Sequence, residues 1–314
     1  IYSNWEGDAF AALKTDGSVV TWGLFSNGGD PCVNSGNPYY TCLTNVSSLL
    51  SSGVSVITSA IGAFAALKTD GSVVTWGQSE FGGNSSLVSS SLSRNVSAIY
   101  STQSAFAALK TDGSVVTWGQ SDFGGDSSSV SSYLSSGVNV VYSTQLAFAA
   151  LKTDGSVVTW GYSDWGGDSS SVSSSLSSDV SVVYSNDYVF AALKTDGSVV
   201  TWGNQYMGGH LGKIYDRVNS AWILVSDVSS DLTSGVSKIF STGSAFAAVK
   251  TDGSVVTWGH SDRGGDSSSV SSFLSSGVSV IYSSGSAFAA LKTDGSVVTW
   301  GDSGYGGDSS GIDF

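Results

Sequence analysis

The ten-residue string Lys-Thr-Asp-Gly-Ser-Val-Val-Thr-Trp-Gly occurs seven times without a change, starting at Lys14, Lys68, Lys110, Lys152, Lys194, Lys250 and Lys292. The intervals are 54, 42, 42, 42, 56 and 42 residues. A fixed period of this size restricts a chain to stacked supersecondary units, as in propellers, solenoids or arrays. The two long intervals place insertions at Asp30 to Leu43 and His210 to Ser226 within one domain spanning residues 1–314.

One unit, read from Gly137, shows what repeats. Val138 to Ser143 alternates and is rich in β-branched residues, so it reads as a strand. Ala147 to Lys152 is apolar on both faces, as a strand sandwiched between neighbours requires. Thr153-Asp154-Gly155 is a hairpin turn with glycine supplying a positive φ, and Ser156 to Trp160 is a third strand. Beyond Gly166-Gly167, Asp168 reads as an N-cap, with Val172 and Leu176 four apart as on a short helix. Serine is a poor helix former, so this outer segment reads equally as an irregular strand.

A linear solenoid of such units needs polar caps at both ends. Here the first copy starts mid-strand at Ile1-Tyr2-Ser3 and the last stops at Gly311 to Phe314, which suits a ring in which the termini meet. The expected fold is all-β: a closed seven-bladed β-propeller of ~42-residue repeats, each with three strands and a Ser-rich outer segment.

The segment Ala-Ala-Leu-Lys-Thr-Asp-Gly-Ser-Val-Val-Thr-Trp-Gly, followed by Gly-Gly, resembles the repeat of the RCC1-like (regulator of chromosome condensation) propeller family. It covers roughly half of each unit and recurs in all seven, and it implies the seven-bladed ring. The family's Gln-Leu-Gly is replaced by Gly-Asp-Ser in most copies, and the loop residues and basic tail on which that family's nucleotide exchange and chromatin binding depend are not located in this sequence. The resemblance therefore carries over the fold and leaves the exchange activity behind.

Charged residues make up only 12% of the chain and net charge is −13, with a pI near 4.2. This balance excludes nucleic acid and anionic membranes as partners, since both attract Lys/Arg clusters. No apolar run approaches the roughly 18 residues needed to cross a bilayer, so direct membrane insertion is not expected. The chain begins at Ile1 without an initiator Met, and it reads as a processed mature chain or a fragment, secreted or lumenal. Cys32 and Cys42, inside the first insertion, are expected to form a local disulfide. The sequons at Asn45, Asn84 and Asn95 are glycosylation candidates and support a secretory route weakly.

Chemistry is expected where the units depart from their template. One such place is the turn between the first two strands, from Asn4 to Asp8 in the first copy to Gly285-Ser286 in the last. The other lies between Trp-Gly and Gly-Gly, where the last residue is Asn27, Phe81, Phe123, Trp165, Met207, Arg263 or Tyr305. Antiparallel strands put both on one rim and the invariant Thr-Asp-Gly turns on the other. A rim carrying Trp5, Phe81, Phe123, Trp165, Met207 and Tyr305 among Glu6, Glu80, Asp122, Asp164 and Asp262 suits recognition of a protein or a sugar face. The bland alternative is that each aromatic packs on its neighbouring blade. The second insertion adds Tyr206, Tyr215, Trp222, Ile223 and Leu224 as contact candidates, against a self-packed loop.

The repeated tryptophans, Trp22 to Trp300, read as inter-blade packing rather than a ligand ring. The turn aspartates read as hairpin formers rather than a cation ring, and the lysines beside them as solvated rim charges. Neither a metal nor a cofactor is expected. No carboxylate pair is singled out for catalysis, and neither His210 nor His260 sits in a recognisable triad. The expected function is a non-catalytic scaffold or accessory subunit that contacts a protein partner through the variable rim. A multivalent carbohydrate-binding propeller is the alternative, and a propeller enzyme stands third.

Overall fold

The computed structural model describes residues 1–34, 42–211, 214–216, 221–223 and 228–312, with the backbone alone described at 214–216 and 221–223. The chain is all-β, and its seven antiparallel sheets are the blades of a seven-bladed β-propeller. Blade 1 comprises Tyr2–Ser3, Ala9–Leu13 and Val19–Gly23; blade 2 comprises Val54–Ser59, Ala63–Lys68 and Val73–Gln78. Blade 3 runs over Val96–Ser101, Ala105–Lys110 and Val115–Gly119, and blade 4 over Val138–Ser143, Ala147–Lys152 and Val157–Gly161. The third strand of blade 4 thus lies one residue further along than its sequence pattern indicates. Blades 5, 6 and 7 start at Val180, Val236 and Val278, and their third strands are Val199–Gly203, Val255–Gly259 and Val297–Gly301.

The Ser-rich outer segment is neither an α-helix nor a strand. It forms single 3-10 turns at Ser86–Val88, Ser128–Val130, Ser170–Val172 and Ser268–Val270. Each serine here competes with the backbone for hydrogen bonds, which permits a turn and discourages a longer helix. Asp168 accepts from the Ser170 amide at 2.8 Å, one position ahead of the cap itself, Ser169. Leu92, Leu134, Leu176 and Leu274 follow these turns as fully buried plugs.

The chain divides into two compact units, residues 1–153 with 158–162, and residues 154–157 with 163–314. In the first unit the apolar cores lie between successive blades. Ala105, Ala107 and Leu109 of blade 3 pack on Phe148, Ala150 and Trp160 of blade 4, and blades 1 to 3 pair likewise. The second unit repeats the arrangement from blade 5 to blade 7. The Ala-rich middle strand lets a neighbouring sheet approach closely, and Phe and Trp from that neighbour fill the space.

The tryptophans serve these seams, as their repetition implies. Trp118 stacks on Phe106 with ring centroids 5.3 Å apart, and its Nε1 donates to the Gly82 carbonyl of the preceding blade at 3.0 Å. Trp76, Trp160, Trp202 and Trp300 do the same on Gly28, Gly124, Gly166 and Gly264. Two depart from this pattern. Trp22 stacks on Phe10 yet stays 42% exposed. Trp258 is buried, but its Nε1 has no hydrogen-bond partner among the described residues.

The Gly-Gly pair makes the seam possible. Gly124 holds φ 102°, and a methyl added there would stand 2.6 Å from the Phe148 ring of the next blade. A methyl on Gly125 would stand 2.4 Å from the Gly119 carbonyl oxygen. Both positions therefore exclude any side chain.

Both insertions contain short hairpins. Cys32–Asn34 pairs with Cys42–Asn45, and the expected disulfide joins Cys32 to Cys42 with Cα atoms 5.4 Å apart. Ile214–Asp216 pairs with Ala221–Ile223, setting Tyr215 opposite Trp222. Leu224 lies outside the described residues.

Candidate functional site

Within each blade the two variable loops lie at the same end of the sheet, and the hydrogen bonds that hold them together repeat from blade to blade. The residue after each Trp-Gly donates its amide to the first turn of the same blade: Gln78 to Gly62, Gln120 to Ser104, Tyr162 to Leu146, His260 to Ser244 and Asp302 to Ser286, at 2.8 to 3.0 Å. A second tie comes from the turn's own side chain. Thr102 Oγ1 donates to the Phe123 carbonyl at 3.1 Å, Thr242 to Arg263 at 3.0 Å and Ser284 to Tyr305 at 2.9 Å. In blade 5, Asn186 Nδ2 reaches the Met207 carbonyl at 2.9 Å. The recurrence of Thr, Ser or Asn at these positions is visible in the sequence, and it is the signal that sequence reasoning missed.

The backbone is thereby fixed while the side chain is left to vary. Each variable position ends a one-turn 3-10 helix, such as Ser121–Phe123 or Ser303–Tyr305, closed by a glycine in the left-handed region. Within each unit the first turns are also linked from blade to blade. Ile61 N donates to Gln103 O and Gln103 N to Gln145 O; Asp187 N donates to Gly243 O and Gly243 N to Gly285 O.

The nine residues singled out as contact candidates fall into three groups. Trp5, Tyr305 and Arg263 are exposed, the first two at 50% and 63%. Arg263 also donates from Nη1 to Ser286 Oγ at 2.9 Å, which anchors its stem over blade 7. Phe81, Phe123, Trp165 and Met207 are half-buried. Phe123 meets Tyr162 edge-on at 5.9 Å, and Trp165 meets Tyr188 at 4.5 Å. Phe81 and Met207 lean on the cores beneath them. Tyr215 and Trp222 are placed by their backbone in the second hairpin.

Blade 1 departs from the others at its first turn. Asn4 Nδ2 donates to Asp8 Oδ1 at 2.6 Å and to the Ile61 carbonyl at 2.8 Å, and Asn27 Nδ2 donates to Asp8 Oδ2 at 2.9 Å. Two amides thus hold one carboxylate. The arrangement staples the first turn of blade 1 to its variable loop.

The opposite rim is uniform. Each turn aspartate accepts from the amide and the hydroxyl of the serine two residues on, as Asp112 does from Ser114 at 2.9 and 2.6 Å. The serine hydroxyl, with its amide, holds the Asp112 carboxyl below the ordinary carboxylate value, and Asp16, Asp70, Asp196, Asp252 and Asp294 follow it. The lysines are not free solvated charges. Lys68, Lys110, Lys152, Lys194, Lys250 and Lys292 each donate to a carbonyl at the end of the preceding outer turn, at 2.7 to 3.1 Å. A long stem laid along the blade brings the ammonium to unpaired carbonyls, which sequence alone does not show.

The sequon asparagines are exposed, and all three bear on the backbone. Asn84 Oδ1 accepts from Ser86 N at 3.0 Å, as the aspartates of other blades do, and Asn45 accepts from both the amide and the hydroxyl of Ser47. Asn95 holds φ 64° where most blades carry glycine.

No family model matches the chain, and no curated protein matches it. Solved structures do. The ectodomain of the receptor kinase CR4 from Physcomitrella patens is 12% identical, over 94% of this chain and 70% of that one, with a TM-score of 0.43. Prp20p from Saccharomyces cerevisiae, described with its binding to Gsp1p and histones, is 14% identical over 81% and 70%, with a TM-score of 0.41. Yeast RCC1 (Prp20) bound to Kap60 is 16% identical over 80% and 68%, at 0.43. These likenesses are too distant to bear on function, and the fold class rests on the seven sheets of the chain itself.

Proposed function

We propose that this chain is a non-catalytic binding propeller, a divergent member of the RCC1-like group, that engages a protein partner through its variable rim. One observation carries the reading. A side-chain tie of the same kind holds the loop in blades 3, 5, 6 and 7, yet the side chain presented differs each time: Phe123, Met207, Arg263 and Tyr305 on carbonyls fixed by a neighbouring hydroxyl or amide. Constant anchoring with varied display is what a recognition surface requires, and exposed aromatics with an arginine among them supply the groups enriched in interface centres. The Cys32–Cys42 disulfide supports an oxidising, secreted or lumenal setting.

The test is affinity capture from the native source by the folded chain and by two variants. Trp5→Ala with Tyr305→Ala is expected to lose a stoichiometric partner at least tenfold, whereas Lys152→Ala on the invariant rim retains it. Retention of the partner by the rim variant would sink this assignment. Recovery of the chain alone, together with binding to polymeric glycans on an array, would move the reading to a lectin.

A further inference from the structure

In every blade but the second the third strand is the last of its sheet, so its outer edge can take a further strand. Blade 2 shows what fits there. Cys32–Asn34, from the first insertion, lies parallel to the end of the blade 2 third strand, with Val33 opposite Gly77 and Asn34 opposite Gln78. Ser79 Oγ donates to the Asn34 carbonyl at 2.7 Å, and Asn34 Nδ2 donates to the Ser26 carbonyl at 2.8 Å. The added strand lengthens its host. The blade 2 third strand reaches Gln78, one residue beyond its Trp-Gly, while the third strands of blades 3 and 7 stop at Gly119 and Gly301. At this edge Gly77 is buried, whereas Gly119, Gly161, Gly203 and Gly301 are not.

The corresponding place beside blades 3 and 7 is a groove. Between blades 2 and 3 it measures about 360 Å³ and is lined by Ser79, Asn84, Thr117 and Gly119. Between blades 6 and 7 it measures about 590 Å³ and runs along Thr299, Trp300 and Gly301. The second groove is acidic. Asp262, Asp266 and Asp308 line it, and its lining contains no Lys or Arg. Asp266 and Asp308 each use Oδ1 to accept a serine amide at 2.8 Å. Phe273, 58% exposed, forms an apolar wall.

We propose that the groove between blades 6 and 7 takes an extended, Lys/Arg-containing segment of a partner protein as a strand parallel to Val297–Gly301, in the way Cys32–Asn34 sits on blade 2. Main-chain pairing on the Gly301 edge supplies the mode, and the three carboxylates select a cationic strand. The groove runs along the outer edge of the blade and meets the variable rim at Asp262, while Trp5 and Phe123 of that rim are not among its lining residues, so variants at those two positions test the rim separately.

The probe is a labelled Lys-Val-Lys-Val-Lys peptide, titrated against the purified chain at low salt, with Glu-Val-Glu-Val-Glu as its counterpart. The cationic peptide is expected to bind and the acidic one to fail. N-methylation of alternate backbone amides, which keeps the charge and removes donors, is expected to weaken binding more than tenfold. The triple variant Asp262→Asn, Asp266→Asn, Asp308→Asn is expected to weaken it about tenfold. Asn84 already holds the equivalent turn in blade 2, so the variant keeps the fold. Trp5→Ala with Phe123→Ala on the rim leaves peptide binding unchanged. Absence of binding, or equal binding of the N-methylated peptide, would overturn the proposal. So would a self-association of the chain that the peptide displaces, because the groove would then belong to a second copy.

Discussion

At the scale of single residues, the Lys, Asp, Ser, second Thr and Trp side chains of the decamer each bond to a fixed group, as Lys110, Asp112, Ser114, Thr117 and Trp118 do. Trp118 and Trp258 allow that statement to be measured. Trp118 donates to the Gly82 carbonyl, whereas Trp258 is equally buried without a described partner. Replacing Trp118 by Phe removes a satisfied buried donor and strands a carbonyl. Replacing Trp258 by Phe removes an unsatisfied one. The first is expected to destabilise by about 1–3 kcal/mol more than the second, read from chemical denaturation midpoints. Equal losses would show that packing alone sets the value of these rings. A second residue-scale prediction concerns Asp179, which holds φ 65° where Gly53, Gly137, Gly235 and Gly277 serve in other blades. Asp179→Gly is expected to stabilise by about 1 kcal/mol, because a Cβ in the left-handed region is a steric cost. The roles of the tryptophans and turn aspartates were legible in the sequence, since exact repetition on a strand or turn favours structure over ligand binding. The lysine contacts were not, because their acceptors are carbonyls nineteen residues earlier, and carbonyls leave no trace in side-chain patterns.

At the scale of elements, strands were readable because alternation and apolar runs report burial directly. The blade 4 strands Val138–Ser143 and Ala147–Lys152 fall where the pattern puts them. The Ser-rich segment resisted a choice because neither helix nor strand propensity favours serine, and the outcome, a 3-10 turn, is set by a buried Leu and an upstream Asp or Asn. The first insertion gave away its disulfide through cysteine spacing, but nothing in its composition pointed to the next blade's edge. That pairing yields a prediction. Cys32→Ser with Cys42→Ser removes the cross-link from the hairpin, loosening the strand that covers Gly77 and Gln78. Closing a loop of this length is worth about 2–3 kcal/mol in the chain-entropy model. Hydrogen exchange at the hairpin and along the Val73–Gln78 edge is expected to quicken, while the Ala63–Lys68 strand beneath stays protected. Unchanged exchange at the edge would mean that the hairpin holds without its disulfide.

For the whole molecule the relevant property is charge. A chain with net charge −13 loses self-repulsion as pH falls toward its pI near 4.2, which by itself favours the folded state. The turn carboxylates act in the opposite sense. Asp16, Asp70, Asp112, Asp196, Asp252 and Asp294 are held below the ordinary carboxylate value by serine hydroxyls and amides, and Asp126, Asp168 and Asp308 by the amide and hydroxyl of the serine two residues on. A carboxylate with a depressed folded-state pKa contributes stability above its unfolded value, and the contribution disappears as pH falls through the folded one. Each is small because these groups are solvated, but the repeat multiplies them. Stability is therefore expected to be nearly flat from pH 7 to 5 and to fall below about pH 4, read as the urea midpoint across the range. Salt separates the two effects. Screening by 0.5 M salt, where the Debye length is only a few ångströms, suppresses the repulsion term and leaves the hydrogen-bond term in place. A fall below pH 4 that survives added salt assigns acid sensitivity to the turns, and its disappearance would assign it to net charge. Asp→Asn at several turns at once keeps an Oδ1 acceptor and removes both the charge and the titration, so it is expected to flatten the acid limb by lowering the pH 7 plateau toward the acid value.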